Sequence, residues 1–592
     1  MMRASRQSSP APRPQLIREH WTDLSGEWWF DHDDANIGLA EQWFGSGHRW
    51  GRTIAVPFPP ESALSGIGDT GFHDVVWYQR NLSRDDIVAA GFDAVLRPRL
   101  VLRFGAVDYR CTVWLNGAKL GDHEGGHTPF GFDLQDHLLH DQDQVLTVRA
   151  EDRAADVGQP RGKQDWQRDA HVVWYDRTTG IWQPVWLEAT AAVAVESLHW
   201  TADLPGATVR AEIGLNRPPL PGTSCEISLR LDDTVVGAIR FPVGEQRATA
   251  TITLPGQTNG QAYEQMVWSP SRPTLIDATV RLGGDEVASY LGLRSVSVAD
   301  GRFLLNDRPL YLRSVLSQGF WPESHLAAPS PRALEDEVRL ILDLGFNAAR
   351  VHQKVEDPRF LYWADRHGLL LWGEAPAAYE FSPVAVGRTT REWLEVLERD
   401  RSHPSIVTWV PHNESWGIQH IAHDPRQAAF ARGLADLTRA VDGTRPVISN
   451  DGWEHAGSDI LTVHDYDADP VSLRDRYGTG AFSRLASGIG PAGRRMTVGP
   501  AFEPSAPLML TEFGGIKYAP DSTSWGYSEA VSPSQFEAQL RAVYEALRAS
   551  PPLAGTCYTQ LTDTMQEANG LLTADRSPKL DIAVIRSIVL GS

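Results

Sequence analysis

From about residue 298 onward, short apolar runs of strand length alternate with segments of helical periodicity. Residues 332–344 have helical spacing and stop at Gly345, a residue type common just after helix ends. Further helices are predicted at 358–367, 391–401 and 425–440, and strands at 311–313, 347–351, 369–372, 406–410, 447–449, 460–463, 508–510 and 555–558. Eight strands alternating mostly with helices predict a (β/α)8 TIM barrel over residues 298–592.

The first half of the chain has the pattern of two β-sandwiches. Residues 16–190 contain short alternating runs separated by turns, and Asn116-Gly117 predicts a hairpin because both residues tolerate positive φ. This region is predicted to be a jelly-roll sandwich. Residues 191–297 carry strands at the spacing of an immunoglobulin-like sandwich. Residues 1–15, polar and rich in Pro and Ser, are predicted to be a disordered leader rather than a secretory signal.

Composition excludes several functions. A formal net charge of −20 argues against nucleic-acid and anionic-membrane partners, which select for basic patches. No apolar run approaches the roughly 20 residues that span a bilayer, and we predict a cytoplasmic protein. Three widely spaced cysteines indicate neither a disulfide framework nor a zinc site. The 21 tryptophans favour a carbohydrate ligand, because their faces stack on sugar rings.

Two glutamates follow apolar runs of the predicted barrel. Glu414 comes after 406–410, and Glu512 comes after 508–510. Active sites of such barrels are built at the carboxyl ends of several strands. Two carboxyls on that rim suit glycoside hydrolysis, one as proton donor and one as nucleophile or base. The alternative is that each caps a helix or pairs with a rim arginine.

At these residues the chain resembles glycoside hydrolase family 2, the group of β-galactosidases, β-mannosidases and β-glucuronidases. The matching segments are 180–182, 268–270, 304–313, Leu344-Gly345-Phe346-Asn347-Ala348-Ala349-Arg350, 403–406, Asn413-Glu414-Ser415 and Thr511-Glu512-Phe513-Gly514. Several motifs in the right order make the resemblance specific, and it covers nearly the whole chain.

The resemblance implies a retaining, exo-acting enzyme that removes a terminal non-reducing sugar by double displacement. Glu512 is then the nucleophile and Glu414 the acid/base, with their carboxyl groups about 5–5.5 Å apart. Asn413 is expected to hydrogen-bond the sugar 2-hydroxyl. The first sandwich is expected to be sugar-binding-like. No organic cofactor is needed, no metal ligands are predicted, and a homo-oligomer is compatible with the size of the chain.

Other rim residues are candidates for substrate binding. His352 and Gln353 end strand 2, where family members place sugar-binding groups; a solvent-facing histidine is the alternative. Tyr466 resembles the tyrosine that orients the nucleophile. The remaining candidates are Asp451 for a sugar hydroxyl, Trp453 for the floor of the site and Trp416 for the aglycone side. A third rim acid, Glu374, is interpreted as structural, holding Arg350 or a neighbouring histidine.

The chain also departs from the family pattern. Gln560 stands where many members have a substrate-stacking tryptophan, which opens the possibility of a five-membered-ring glycoside. Segment 569–579 lacks the Asn-x-Lys carboxylate clamp of β-glucuronidases, so that activity is disfavoured. Segment 161–166 either projects into the barrel mouth or forms a surface loop. Segment 468–507 is too long for a bare connection and is expected to overhang the site.

The first substrate choice is therefore a β-galactoside. A β-galactofuranoside or α-L-arabinofuranoside is the next choice, followed by a β-mannoside. A transglycosidase shares the same covalent intermediate and is not distinguished by sequence. The alternative of another class is a non-catalytic carbohydrate-binding protein on a degenerate barrel.

Overall fold

The computed structural model describes residues 2–45, 47–139, 142–258, 260, 263–519 and 523–591. Two all-β sandwiches precede a barrel of parallel strands, in the order that the sequence predicts. Among the described residues, no helix combines the length and the apolar character needed to cross a membrane. The cytoplasmic location and the oligomeric state stay predictions.

The first sandwich consists of two antiparallel sheets, ordered β1-β12-β5-β9 and β3-β2-β4-β10-β7-β8, with an apolar core between them. Its elements are β1 (Trp21–Asp23), β2 (Gly26–His32), β3 (Arg52–Val56), β4 (Val75–Leu82), α1 (Arg84–Ala89), β5 (Arg99–Phe104), β6 (Val107–Asp108), β7 (Arg110–Leu115), β8 (Ala118–Glu124), β9 (Phe130–Asp133), β10 (Gln144–Glu151), β11 (Gly180–Ile181) and β12 (Val185–Thr190). The predicted hairpin is present between β7 and β8, where Asn116 and Gly117 have φ values of 54° and 79°.

The second sandwich packs a sheet β13-β14-β17 on a sheet β16-β15-β18-β19. Its elements are β13 (Val195–Asp203), β14 (Thr208–Leu215), β15 (Ser224–Leu231), β16 (Thr234–Pro242), β17 (Arg247–Thr253), α2 (Pro255–Thr258), α3 (Tyr263–Met266), β18 (Ile276–Leu282) and β19 (Asp285–Leu291). The alternating pattern of β14 is seen directly, since Val209, Ala211 and Ile213 are buried while Arg210 is exposed. Alternation of this kind is what a sheet with one face on a core requires.

The prediction of a disordered leader is wrong for the described residues 2–15. Ser5 donates hydrogen bonds from its backbone nitrogen and hydroxyl to Asp277, at 2.8 and 3.0 Å. Gln15 donates to the carbonyl oxygens of Tyr290 and Ser402, both at 3.3 Å. These partners belong to the second sandwich and the barrel. The polar composition of the segment therefore gave no sign of its packing, because the contacts are distant in sequence.

The barrel sheet has the order β26-β25-β24-β23-β31-β28-β27, all in parallel pairs. The elements of this half of the chain are β20 (Val296–Ala299), β21 (Arg302–Leu305), β22 (Arg308–Pro309), β23 (Leu312–Ser317), α4 (Pro331–Asp343), β24 (Ala348–Val351), α5 (Pro358–His367), β25 (Leu370–Glu374), α6 (Pro383–Asp400), β26 (Ile406–Val410), α7 (Pro425–Val441), β27 (Leu461–Asp465), α8 (Pro470–Arg476), α9 (Ala481–Ala486), β28 (Leu508–Gly514), β29 (Ile516–Lys517), β30 (Ser528–Glu529), α10 (Pro533–Arg548), β31 (Leu553–Thr559) and α11 (Ile582–Leu590).

The predicted strand at 447–449 is the weakest member of the barrel. It pairs with β26 through an isolated bridge from Trp409 to Val447, a second bridge joins Asn413 to Asp451 just beyond the two segments, and no continuous ladder forms among the described residues. The segment still fills the gap between β26 and β27. The opposite, amino-terminal end of the barrel is closed by the β20–β22 sheet, whose Phe303 and Leu305 pack on the starts of the strands.

Several helices of the barrel begin with serine or aspartate followed by proline. Ser330, Asp357, Ser382 and Asp424 each accept a hydrogen bond from a backbone nitrogen of the first turn, with proline next in sequence. The capping side chain and the fixed φ of proline favour helix initiation at that point. Because of the Ser382 cap, α6 begins at Pro383, eight residues before the predicted start. Segment 468–507 is also partly helical, in α8 and α9.

Candidate active site

Glu414 and Glu512 meet at the carboxyl-terminal end of the barrel. One carboxylate oxygen of each and a ring nitrogen of His464 all lie within 4.8 Å of one another. This spacing suits a retaining pair, whose carboxyl groups stand about 5–5.5 Å apart. Glu414 lies four residues after the end of β26 and has a left-handed φ of 50°, a conformation that costs energy outside glycine and is common at functional sites.

A fully buried arginine from β24, Arg350, holds the floor of the site together. Its guanidinium lies 2.7 Å from Glu374 and 2.9 Å from both Asp451 and Glu512. It also donates to the side-chain oxygen of Asn413 at 2.7 Å. Burial alone would lower the pKa of Arg350, but these carboxylates raise it well above its ordinary value. Glu374 therefore has the structural role expected for it.

His464 connects the two candidate catalytic acids. Its Nδ1 lies 2.7 Å from Glu414 and 3.3 Å from Glu512, while its Nε2 lies 3.1 Å from Asp451. Burial by itself lowers the pKa of His464, but Glu512, Asp451 and the bond to Glu414 together raise it to about 10. The ring is therefore an imidazolium near neutral pH.

The pKa of Glu414 is shifted in the opposite direction, below its ordinary value. Burial would raise its pKa, but the hydrogen bond from His464, with the charges of Lys163 and Arg350, lowers it. In the resting site the proton thus lies on His464, and Glu414 is a carboxylate. The two groups titrate as a pair that holds one proton.

Tyr466 and Asn413 lie where the sequence places them, beside the two acids. The Tyr466 hydroxyl donates to Glu512 at 2.5 Å, and its ring stacks on Tyr527 with centroids 3.3 Å apart. The side-chain oxygen of Asn413 accepts a hydrogen bond from Arg350, whereas its amide nitrogen has no partner within the described part of the chain. That nitrogen is a free donor toward a ligand.

His352 and Gln353 are buried beside Glu374 instead of facing solvent. His352 Nδ1 lies 2.9 Å from Glu374, and burial lowers the pKa of this imidazole well below its ordinary value, so the ring is neutral. The Gln353 oxygen accepts from Ala377 at 3.3 Å, and its amide nitrogen has no partner among the described residues.

Two predicted substrate contacts occupy other positions than expected. Asp451 is fully buried, and its oxygens accept from Thr511 and face Arg350 and His464. Gln560 is also fully buried: it donates to Asn569 and accepts from Gln318, both at 2.8 Å. Both side chains therefore lie behind the site surface in this structure. The paired charges and amides satisfy each other, which is what burial of polar groups requires.

The two predicted tryptophans have different aromatic neighbours. Trp453 approaches His464 edge-on, with centroids 5.6 Å apart. Trp416 joins an aromatic cluster with Trp174, Tyr379 and Trp166, whose neighbouring rings lie 4.7–5.5 Å apart. The indole nitrogens of Trp174 and Trp416 have no partner in the described part of the protein.

Half of that cluster comes from the first sandwich, because segment 161–175 projects into the barrel mouth. Arg161 and Gly162 both donate backbone bonds to Ala377 at 3.1 Å, and Tyr379 donates to the Gly162 carbonyl at 2.6 Å. Gly162 has φ 61°, and a Cβ there would lie 2.2 Å from the Gln353 carbonyl oxygen, so only glycine fits. The projecting loop is thus the correct alternative of the two that the sequence left open.

The loop carries Lys163 into the site. Its ammonium acts electrostatically on Glu414, His352 and Glu567, and it makes no hydrogen bond or salt bridge within the described residues. On the same loop, the Tyr175 hydroxyl donates to Glu567 at 2.7 Å. A cation without a bonded partner in a concave polar site is a candidate anchor for an anionic ligand group.

Sequence reasoning missed Lys163, Tyr175 and His464 as site residues. His464 has a usable signal, since it lies two residues before Tyr466 and alternation places both on the same side of the strand end. Lys163 and Tyr175 have none, because their position depends on the docking of another domain. By composition Glu414, His464 and Glu512 could hold a cation, which would have to displace the proton on His464.

The barrel and its acid pair define a retaining glycosidase. Residues 296–470 match the family profile "Glycosyl hydrolases family 2, TIM barrel domain". A beta-glucuronidase of Pongo abelii is 25% identical over 492 residues, 75% of this chain and 70% of that protein. A beta-galactosidase of Thermoanaerobacter pseudethanolicus is 24% identical over 406 residues, 66% of this chain and 51% of that protein. Among solved structures, the β-glucuronidase of Ruminococcus gnavus in complex with D-glucuronic acid superposes over both whole chains with a TM-score of 0.76 and 18% identity. Residues 296–470 of the chain therefore match the TIM barrel domain of glycoside hydrolase family 2.

Proposed function

We propose that this exo-acting glycosidase removes a terminal β-uronosyl residue, with Glu512 as nucleophile and Glu414 as acid/base. Glu512 attacks the anomeric carbon as the bond to the aglycone oxygen breaks, and Glu414 supplies the proton to that oxygen. Water, deprotonated by Glu414, then releases the sugar from the Glu512 ester with its configuration retained. Asn413 donates its free amide hydrogen to the 2-hydroxyl, a contact that strengthens in the oxocarbenium-like state.

The proton for the first step is supplied through the Glu414–His464 pair. Because Glu414 is ionised at rest, the proton on His464 Nδ1 moves across the 2.7 Å hydrogen bond to produce the acid form. Formation of the ester removes the negative charge of Glu512, which is the largest charge raising the pKa of His464. Once the proton has passed to the aglycone oxygen, His464 is neutral and Glu414 is again a carboxylate, which can accept a proton from water in the second step.

The His464→Asn protein is expected to lose activity mainly on the alkaline side. With histidine present, the pair keeps its proton until the pH approaches about 10. Without it, Glu414 must hold the proton alone, and a carboxylic acid loses its proton at a much lower pH than this imidazolium does. The alkaline limb of kcat/KM should move to lower pH, with a loss of roughly 10²- to 10⁴-fold at pH 7. A dinitrophenyl glycoside, whose leaving group needs no proton, is the control and should show little of this shift. An unmoved alkaline limb would contradict the shared proton.

Lys163 is the observation that carries the uronide assignment. The sequence disfavours a β-glucuronidase because segment 569–579 lacks the Asn-x-Lys clamp that would bind the sugar carboxylate. The structure brings Lys163 to this region from the first sandwich, close enough to act on Glu567 and Glu414. The uronidase names among the relatives support the same class of substrate. A carboxylate on the glycone would give the ammonium a charge-assisted hydrogen bond.

A panel of aryl glycosides tests this proposal together with a Lys163→Met variant. The panel contains β-glucuronide, β-galacturonide, β-galactoside, β-mannoside, β-galactofuranoside and α-L-arabinofuranoside. We expect a uronide to be cleaved best and Lys163→Met to reduce its kcat/KM roughly 10- to 100-fold, the value of a hydrogen bond to a charged group. The exposed Lys119→Met, in the same domain, is the matched control and should change nothing. If the protein prefers a neutral glycoside and the Lys163→Met variant stays fully active, the uronide assignment is wrong.

A neutral β-glycoside, with the β-galactoside first, is the second candidate. It is favoured by Glu567, whose buried carboxylate accepts from Tyr175 and Asn569 beside Lys163. Burial raises the pKa of Glu567, whereas Lys163 lowers it. If Glu567 satisfies Lys163 in the complex, the glycone needs hydroxyl groups rather than a carboxylate.

A further inference from the structure

The turn that carries Glu414 has an unusual backbone. Glu414 and Ser415 have φ values of 50° and 58°, so two consecutive residues other than glycine are left-handed. This conformation costs energy for residues with a Cβ, and it persists only where the surrounding structure holds it in place. The dihedrals of the turn set where the Glu414 side chain points. The contacts that hold the turn therefore also aim this carboxyl group.

The neighbouring loop of the barrel supplies those contacts. The backbone nitrogen of Glu414 donates to the carbonyl oxygen of Asp451 at 3.0 Å. The backbone nitrogen of Ser415 donates to the side-chain oxygen of Asn450 at 2.9 Å. The Ser415 hydroxyl accepts from the Asn450 amide at 3.0 Å and donates to the Glu454 carboxylate at 2.6 Å, the distance of a strong, charge-assisted bond. Because these three side chains are buried, water does not compete for the bonds between them.

Glu454 is itself fixed from a third segment. Arg494, from the long segment 468–507, lies 2.6 Å from one Glu454 oxygen and 3.2 Å from the other, as a guanidinium fork does on a carboxylate. The backbone nitrogen of Glu454 donates to the Arg495 carbonyl oxygen at 2.8 Å. Arg494 also donates to the carbonyl oxygen of Gln419 at 3.3 Å, a few residues beyond the turn. One arginine thus ties the acid/base loop to its neighbour.

We propose that Glu454 is a positioning residue that aims the acid/base Glu414 by holding Ser415, an inference that rests on the proposed function. Both Glu454 oxygens are hydrogen-bonded within the protein, so the residue acts through Ser415 and not on the substrate. Without Glu454, the strained turn relaxes toward ordinary dihedrals and turns the Glu414 carboxyl away from His464. The 2.7 Å bond through which His464 supplies the proton is then lost.

The nucleophile does not depend on this turn. Glu512 lies on β28, where Arg350 holds it at 2.9 Å and the Tyr466 hydroxyl donates to it at 2.5 Å. Loss of Glu454 should therefore impair proton donation and leave nucleophilic attack intact. An aglycone that leaves without a proton should be released at nearly the normal rate, whereas one that needs a proton should be released slowly.

The Glu454→Ala protein tests this with dinitrophenyl and phenyl glycosides of the sugar that the aryl glycoside panel identifies. We expect kcat/KM to fall roughly 10- to 100-fold for the phenyl glycoside and less than about threefold for the dinitrophenyl glycoside. The side chain of Arg494 is 37% exposed, so this variant leaves no charge buried without a partner. Ser415→Ala removes the other end of the same bond and should show the same pattern. Because both changes break one bond, the double variant should be no slower than the slower single variant.

Two controls separate the possible causes of a loss. Glu337→Ala removes a buried glutamate that likewise accepts from a serine and an arginine, Ser317 and Arg576. Any loss in this variant should be equal for the two glycosides, because it comes from the structure and not from proton donation. Glu414→Gln, which removes the acid itself, should slow mainly the phenyl glycoside.

The outcomes distinguish this inference from the proposed function. An equal loss with both glycosides in Glu414→Gln would contradict the acid role of Glu414, and the proposed function would fail with it. If Glu414→Gln behaves as expected while Glu454→Ala and Ser415→Ala slow both glycosides equally, or slow neither, Glu454 does not position the acid. This inference alone is then overturned.

Discussion

The Glu512→Gln protein should retain its fold and lose roughly 10⁴- to 10⁶-fold in kcat, the scale seen when a nucleophile is removed from an enzyme. A carboxamide has the shape of the carboxylate, but it cannot form the glycosyl ester. If the variant unfolds at a near-normal temperature and still binds a substrate analogue, the loss of activity is a loss of chemistry and not of structure. A carbohydrate-binding protein would keep its affinity and show no turnover to lose.

Azide distinguishes the two acids by the configuration of the product. In Glu512→Ala, azide can enter the space of the missing carboxylate and attack the anomeric carbon directly, while Glu414 protonates the departing oxygen. That product has inverted configuration. In Glu414→Ala, the Glu512 ester still forms from an activated aryl glycoside, and azide attacks that ester to give a retained product. The opposite pairing of variants and products would exchange the two roles.

Replacing Arg350 by methionine should cost about 3–5 kcal/mol of unfolding free energy, the usual result of removing one partner from a buried charge group. Glu374, Asp451 and Glu512 would lose the guanidinium that lies within 2.9 Å of each. Activity should fall as well, because the same group holds Asn413 and the nucleophile in place. Denaturant unfolding and kcat/KM measure the two effects.

Two variants make the Arg350 result specific. Arg350→Lys keeps the charge but not the fork that reaches several partners, so stability should recover in part and activity should not. Arg339→Met removes an exposed arginine of α4, whose partner Glu335 keeps a contact with His367, and should cost less than about 1 kcal/mol. A loss at Arg350→Met no larger than at Arg339→Met would mean that the carboxylates around Arg350 are not ionised together.

Features with local causes were predictable. The helices α4, α5 and α7 begin within one residue of their predicted starts, because Ser-Pro and Asp-Pro fix the start within a few residues of sequence. The hairpin at Asn116-Gly117 has a local cause too, in the positive φ of both residues. Glu414 and Glu512 were found because strand periodicity, a short-range property, puts the ends of parallel strands on one rim.

The sequence by itself determined the barrel and the positions of its two acids. Tertiary structure alone decided the ligand-facing chemistry. Lys163 reaches the site because a loop of the first sandwich docks on Ala377 and Tyr379, and Asp451 is buried because its charge pairs with Arg350 and His464. Periodicity and capping act over a few residues. Pairing of buried charges and docking of domains join residues hundreds of positions apart, and no local pattern records them.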